Sequence, residues 1–151
     1  MRTVARPFRG EIRPARPNDY PRMAELAGQL GYPSSASDVA RRLGGLNATD
    51  EHAVFVAQLA DGTIAGWIGA FVYRCVEADA RVEISGLVVD ERFRSQTVGR
   101  FLLERAEAWA REKGCGATSL RSNVIRERAH AFYERQGYEH TKTQKSFRKK
   151  L

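Results

Sequence analysis

The apolar positions change period several times along the chain, and each change predicts an element. Glu11 to Arg16 reads as a short strand ended by Pro17. Behind a cap at Asn18 or Asp19, Met23, Leu26, Ala27 and Leu30 recur at helical spacing until Gly31-Tyr-Pro33 stops them. Ser37 and Asp38 open a second helix with Val39, Leu43 and Leu46 inward. Ala53 to Leu59 and Ile64 to Tyr73 then read as strands joined at the Asp61-Gly62 turn, followed by a third strand, Arg81 to Val89. The helical period returns in Val98, Phe101, Leu102, Ala106, Trp109 and Ala110, predicting a helix to Lys113 closed by Gly114. A strand over Thr118 to Arg121, a helix over Glu127 to Gln136 closed by Gly137, and strands over Tyr138 to Thr141 and Gln144 to Lys149 complete the order. Such an order predicts an α/β sandwich whose strand Arg81 to Val89 leads directly into the longest helix.

A chain of 151 residues, 42% of them hydrophobic, suits a single domain over residues 1–151, with 1–9 as a flexible N-terminal segment. That segment carries arginines but no apolar core of a secretory signal, and runs such as Ile84 to Val89 are too short to span a bilayer. Cys75 and Cys115 are too few for a disulfide framework, so the expected setting is the reduced cytoplasm, with no membrane partner. His52, His130 and His140 show no ligand spacing with the cysteines, and no metal is expected.

The net charge of +7 is unevenly spread: residues 1–120 carry 16 Lys and Arg against 15 Asp and Glu, residues 121–151 nine against three. A basic end of this kind serves nucleic acid or a phosphate-rich small molecule. No zinc-finger, RNA-binding or helix-turn-helix pattern accompanies it, so nucleic acid is not an expected partner.

The segment from Ser85 to Arg100 holds the most chemistry. An apolar strand ends at Asp90, a polar loop follows, and a helix opens at Thr97 to Gly99. The open N–H groups at a helix start form an anion site, and Arg94 and Arg100 flank this one. Neither a Gly-x-x-x-x-Gly-Lys-Ser/Thr loop nor a Gly-x-Gly-x-x-Gly fingerprint occurs, which excludes two familiar nucleotide sites.

Arg94-Ser-Gln-Thr97-Val-Gly99, after Leu87-Val-Val89, resembles the acyl-CoA signature of the GNAT N-acetyltransferase superfamily. A second stretch, Asn123 to Tyr138, resembles a further motif of that family, and the element order from residue 11 onward follows it. The resemblance implies a GNAT fold: a mixed, mostly antiparallel sheet of about six to seven strands with helices on both faces. It also implies acetyl-CoA as cosubstrate and a small-molecule amine as acceptor, with the look of small aminoglycoside 6'-N-acetyltransferases. Protein or peptide amines, and a CoA-binding regulatory module without turnover, are the alternative readings, and a homodimer is the implied assembly.

Carried onto this chain, the backbone of Leu87, Val88 and Val89 would pair with the acetyl carbonyl and the pantetheine arm. Arg94, Ser95, Gln96, Thr97, Val98, Gly99 and Arg100 would hold the pyrophosphate, while Asn123 and Phe132 would line the cofactor. Tyr133 matches the tyrosine that protonates the departing thiolate, and Glu83 is the candidate base, expected on one strand face with Ser85, Leu87 and Val89. Thr97 stands where the family has its first glycine, so its Cβ either crowds the pyrophosphate or brings a hydroxyl to it.

Overall fold

A computed structural model describes residues 7–151, the side chains of Ser95 and Gln96 excepted; residues 1–6 of the expected N-terminal segment lie outside the described residues. The chain forms two compact units, Met1–Leu120 and Arg121–Leu151.

In the first unit, β1 (Gly10–Pro14), β2 (His52–Leu59), β3 (Ile64–Tyr73), β4 (Arg81–Val89) and β5 (Thr118–Leu120) lie side by side in chain order. The pairs from β1 to β4 are antiparallel, and β5 joins β4 in parallel. The longer elements follow the hydrophobic pattern closely, because β3 buries seven of its ten residues and β4, with four of nine buried, is half-buried along most of the rest, which leaves little freedom of register.

Helices cover both faces of this sheet. On one side, α1 (Tyr20–Leu30) and α2 (Ala36–Leu46) bury Met23, Leu26, Val39 and Leu43 in one apolar cluster with Val56 and Val88. The Trp67 indole N–H crosses to the Met23 carbonyl at 3.2 Å and pins α1 to β3. On the other side, α3 (Val98–Glu112) buries Val98, Leu102, Leu103, Ala106, Trp109 and Ala110. Its Arg105 guanidinium lies 4.4 Å from the centre of the Phe55 ring on β2.

A buried ion pair secures the first edge of the sheet. Arg13 on β1 donates two hydrogen bonds to Asp19, at 2.8 and 2.9 Å, and Asp19 also accepts the Arg16 N–H at 2.7 Å. Those bonds, led by the Arg13 pair, hold the Asp19 carboxyl below its ordinary range against the opposing effect of burial.

The second unit contains α4 (Glu127–Arg135), with Gly137 closing it at φ +90°. The expected six to seven strands are corrected to five among the described residues, because Tyr138–Thr141 and Gln144–Lys149 form no strand. A strand persists when one face is buried or its backbone groups are paired. Residues 139–151 are all exposed, and Lys142, Lys145, Arg148, Lys149 and Lys150 crowd like charges into the same short stretch.

Candidate active site

Strand β4 and the loop after it place most of the candidate residues of the first unit. β5 pairs with β4 only from Val82 to Ile84, so from Ser85 onward the ladder secures one edge of β4. The step between β3 and β4 also changes there. Gly69 lies opposite Gly86 but Ala70 lies opposite Ile84, leaving Ser85 as the extra residue of a bulge.

The bulge corrects the expected face of Glu83. Glu83 is opposite Phe71 and Val88 is opposite Trp67, so these share the side covered by α1; Leu87, opposite Ile68, turns to the side of α3. Glu83 therefore shares a face with Val88 rather than with Leu87 and Val89. Ser85 joins Glu83 there, its Oγ standing 2.7 Å from where a Cβ at Gly69 would be. The Glu83 side chain is buried, with 6% of the residue exposed.

Asp90 follows β4 at 2% exposure and organises the loop. Its carboxylate accepts hydrogen bonds from the guanidinium groups of Arg22 and Arg92, and from the Arg92 backbone N–H at 3.0 Å. Its own N–H donates to Ala65 at 2.8 Å, and Arg22 Nε donates to the Ile64 carbonyl at 3.2 Å. One carboxylate thus ties α1, β3 and the loop together. The Arg92 hydrogen bond, opposed by burial and aided by Arg22, holds Asp90 far below the usual carboxylate range. Sequence reasoning did not identify this cluster.

A turn of 3-10 helix, Glu91–Gln96, then delivers the chain to α3. The first ladder bond of α3 runs from the Phe101 N–H to the Thr97 carbonyl at 3.2 Å, so the N–H groups of Val98, Gly99 and Arg100 precede the ladder. Thr97 is the N-cap residue, in a left-handed conformation at φ +62°, and its side chain makes no cap hydrogen bond. Its Oγ1 instead accepts the backbone N–H of Phe8 at 3.1 Å. Arg94 Nε donates to the Val89 carbonyl at 3.1 Å, and Arg100 Nε donates to Glu104 at 2.8 Å. Both arginines are exposed beside the helix start.

In the second unit, Asn123 shapes the entry to α4. Its Oδ1 accepts the Ile125 N–H at 3.1 Å, and its carbonyl faces His130 Nε2 at 2.8 Å. Phe132 packs edge-on against Tyr133 at 5.2 Å between ring centres, and Tyr138 lies 6.0 Å from Tyr133. Burial pushes the Tyr133 hydroxyl above the ordinary phenol range, with the Arg126 charge acting in the opposite direction. A phenol so placed stays protonated and can act as an acid.

No group of three or more His, Cys, Asp or Glu side chains suited to a metal occurs among the described residues. None of their helices is long and apolar enough to cross a membrane.

The model of the acetyltransferase (GNAT) family matches residues 19–138. The chain is 32% identical over 144 residues to an aminoglycoside N(6')-acetyltransferase type 1 of Stenotrophomonas maltophilia, covering 93% of each chain. It is 36% identical over 93 residues to an aminoalkylphosphonate N-acetyltransferase of Salmonella typhimurium, covering 61% of this chain and 60% of that one. Among solved structures, an aminoglycoside 6'-N-acetyltransferase of Acinetobacter haemolyticus superposes with a TM-score of 0.81 at 21% identity, over 93% of this chain and 99% of that one.

Proposed function

The chain belongs to the acetyltransferase (GNAT) family, and from that membership we propose that it transfers an acetyl group from acetyl-CoA to a primary amine of a small molecule. The family match spans residues in both compact units, which supports reading 1–151 as one catalytic domain. The observation that carries the proposal is the start of α3: three N–H groups precede the helix ladder, no side chain of the N-cap residue covers them, and Arg94 and Arg100 stand beside them. That donor set suits a pyrophosphate.

Acetyl-CoA, when bound, supplies a thioester carbonyl open to attack by an amine. Within the Leu87, Val88 and Val89 stretch of β4 beyond β5, the N–H groups that face away from β3 would polarise that carbonyl. Glu83 accepts the proton that the attacking amine must lose. Because Glu83 is buried and the bulge separates it from Leu87, we assign that transfer to an intervening water. As the new C–N bond forms and the C–S bond breaks, Tyr133 returns a proton to the sulfur. Asn123 and Phe132 are further cofactor contacts in this reading, as the family resemblance implies.

The acceptor side disfavours a polycation. Within residues 18–48 the three carboxylates are already engaged: Asp19 with Arg13, Glu25 with Arg22, and Asp38 with the Ser35 N–H and Arg41. Exposed Glu77 and Asp79, between β3 and β4, are left to meet one or two ammonium groups. The expected acceptor is therefore a small amine with few charges, or an aminoglycoside held at millimolar-range affinity.

The test is calorimetry with acetyl-CoA, then thiol release across aminoglycosides, polyamines, amino acids, aminoalkylphosphonates and peptides. Binding that weakens with salt, followed by thiol release with a small amine, is the expected result. Tyr133→Phe should then lower turnover about 10²-fold at unchanged acetyl-CoA affinity, and Glu83→Gln should slow the reaction most at low pH. No acetyl-CoA binding at millimolar ligand would overturn the reading.

A further inference from the structure

Thr97 presents a conflict that its surroundings resolve. A hydroxyl residue at an N-cap ordinarily turns its oxygen onto the N–H groups of the first helical turn, with an extended backbone. Thr97 has the hydroxyl and the N-cap position, yet its backbone is left-handed, at φ +62° and ψ +13°, and its side chain makes no cap bond. Left-handed backbone is least tolerated by β-branched residues, and among the described residues Thr97 is the one non-glycine in it. Strain of this sort persists when a neighbour holds the residue in place.

The N-terminal arm is that neighbour. The Phe8 N–H donates to Thr97 Oγ1 at 3.1 Å, across a sequence separation of 89. The Phe8 ring seats against Phe101, one turn into α3, at 5.6 Å between centres. Just beyond, Gly10 lies so close to the Gln58 carbonyl that a Cβ there would overlap it, which brings the arm tight against β2.

We propose that Phe8 and Thr97 form a latch that keeps the start of α3 open to an anion. While the arm holds the Thr97 hydroxyl, the N–H groups of Val98, Gly99 and Arg100 remain outside the reach of their own N-cap. When the arm lets go, two effects act in one direction. The Thr97 backbone leaves the left-handed region for an extended one, and its hydroxyl swings onto the first-turn N–H groups. The helix then caps itself and competes with the pyrophosphate. Phe8 and Thr97 are in this sense positioning residues, acting through the helix start rather than on the reacting atoms. The proposal rests on the reading of that helix start as the acetyl-CoA pyrophosphate site.

The experiment uses full-length protein and three variants. Phe8→Pro removes the N–H donor, Phe8→Ala removes the ring but keeps the N–H, and Phe8→Pro combined with Thr97→Gly also removes the hydroxyl and the conformational conflict. Acetyl-CoA affinity by calorimetry should fall about fivefold or more in Phe8→Pro, the equivalent of one hydrogen bond gained by the competitor. It should fall less in Phe8→Ala, and return to within about twofold of wild type in the double variant. The second readout needs no ligand: amide exchange of Val98 to Arg100, followed residue by residue, should slow in Phe8→Pro and recover in the double variant. Failure of the wild type to bind acetyl-CoA would refute the site while leaving the exchange readout to judge the latch. Unchanged exchange and affinity in Phe8→Pro, or tighter binding there, would overturn the latch; so would a double variant as weak as Phe8→Pro.

Discussion

Helices α2 and α3 both start behind a hydroxyl residue, and they start in opposite ways. At α2, Ser35 is extended at φ −91° and ψ 163°, and its Oγ accepts the Asp38 N–H at 3.1 Å. Asp38 returns the favour by accepting the Ser35 N–H at 3.1 Å, so the end is closed by two residues three apart. At α3, Thr97 turns away from its helix, and distant parts of the chain hold the approach: Arg22 reaches Asp90, and Phe8 reaches Thr97. A helix end that is closed locally is finished as structure. One that is held from afar leaves its first N–H groups without a bond from its own N-cap side chain.

The largest test of that contrast is at Asp90. Asp90→Ala should cost about 2–3 kcal/mol, since it removes the charge-assisted hydrogen bonds of Arg22 and Arg92 to a buried carboxylate. The effect depends on pH with a definite sign. Because the folded carboxyl lies below its unfolded value, its contribution is complete above about pH 5 and fades as pH falls through about 4 and beyond. Denaturant midpoints of variant and wild type should therefore converge in acid. Equal midpoints at neutral pH would show that the loop stands without its distant support.

Ser35→Ala comes next. It should lower stability by about 1 kcal/mol, the usual worth of an N-cap side chain, and leave acetyl-CoA affinity unchanged. A change in affinity would contradict the separation of the two helix starts. The smallest effect belongs to Thr97→Gly. Relief of left-handed strain opposes the loss of the Phe8 bond and the greater freedom of an unfolded glycine, so stability should shift by less than about 0.5 kcal/mol. Thr97→Val, which keeps the branched side chain and loses the hydroxyl, should cost about 1 kcal/mol. Equal losses in both would mean that the backbone carries no strain.

The same contrast explains what could be read from the sequence. Ser35 and Asp38 are neighbours, and the start of α2 falls within two residues of the pattern. β3 and β4 have the bounds that their apolar runs predict, since burial on both faces leaves few alternatives. The family motifs likewise lie in continuous stretches, 94–99 and 123–138. The rest depends on contacts between distant positions. Arg22 and Asp90 are 68 apart, and Phe8 and Thr97 are 89 apart, with no periodicity to announce either pair. The bulge at Ser85 defeats strict alternation by one residue, so Glu83 was placed with Leu87 and Val89. The final strands expected over Tyr138 to Thr141 and Gln144 to Lys149 fall in a stretch whose exposure offers no buried face to enforce them.

The treatment of the sheet margins has a consequence for how crowded copies of this protein behave. A row of open strand groups invites the strand of another molecule and is a common route to aggregation. At β1 the invitation is withdrawn: the strand is short, Pro14 lacks a donor, and Glu11 and Arg13 place charge along it. At β4 the stretch beyond β5 begins at a bulge and ends at Val89, whose carbonyl is already committed to Arg94 Nε. An intruding strand would meet an irregular start and a closed end within a few residues, too short a run to nucleate a stable added strand. At β1 and along β4 beyond β5, the sheet thus offers a neighbour too short and irregular a run to grow into.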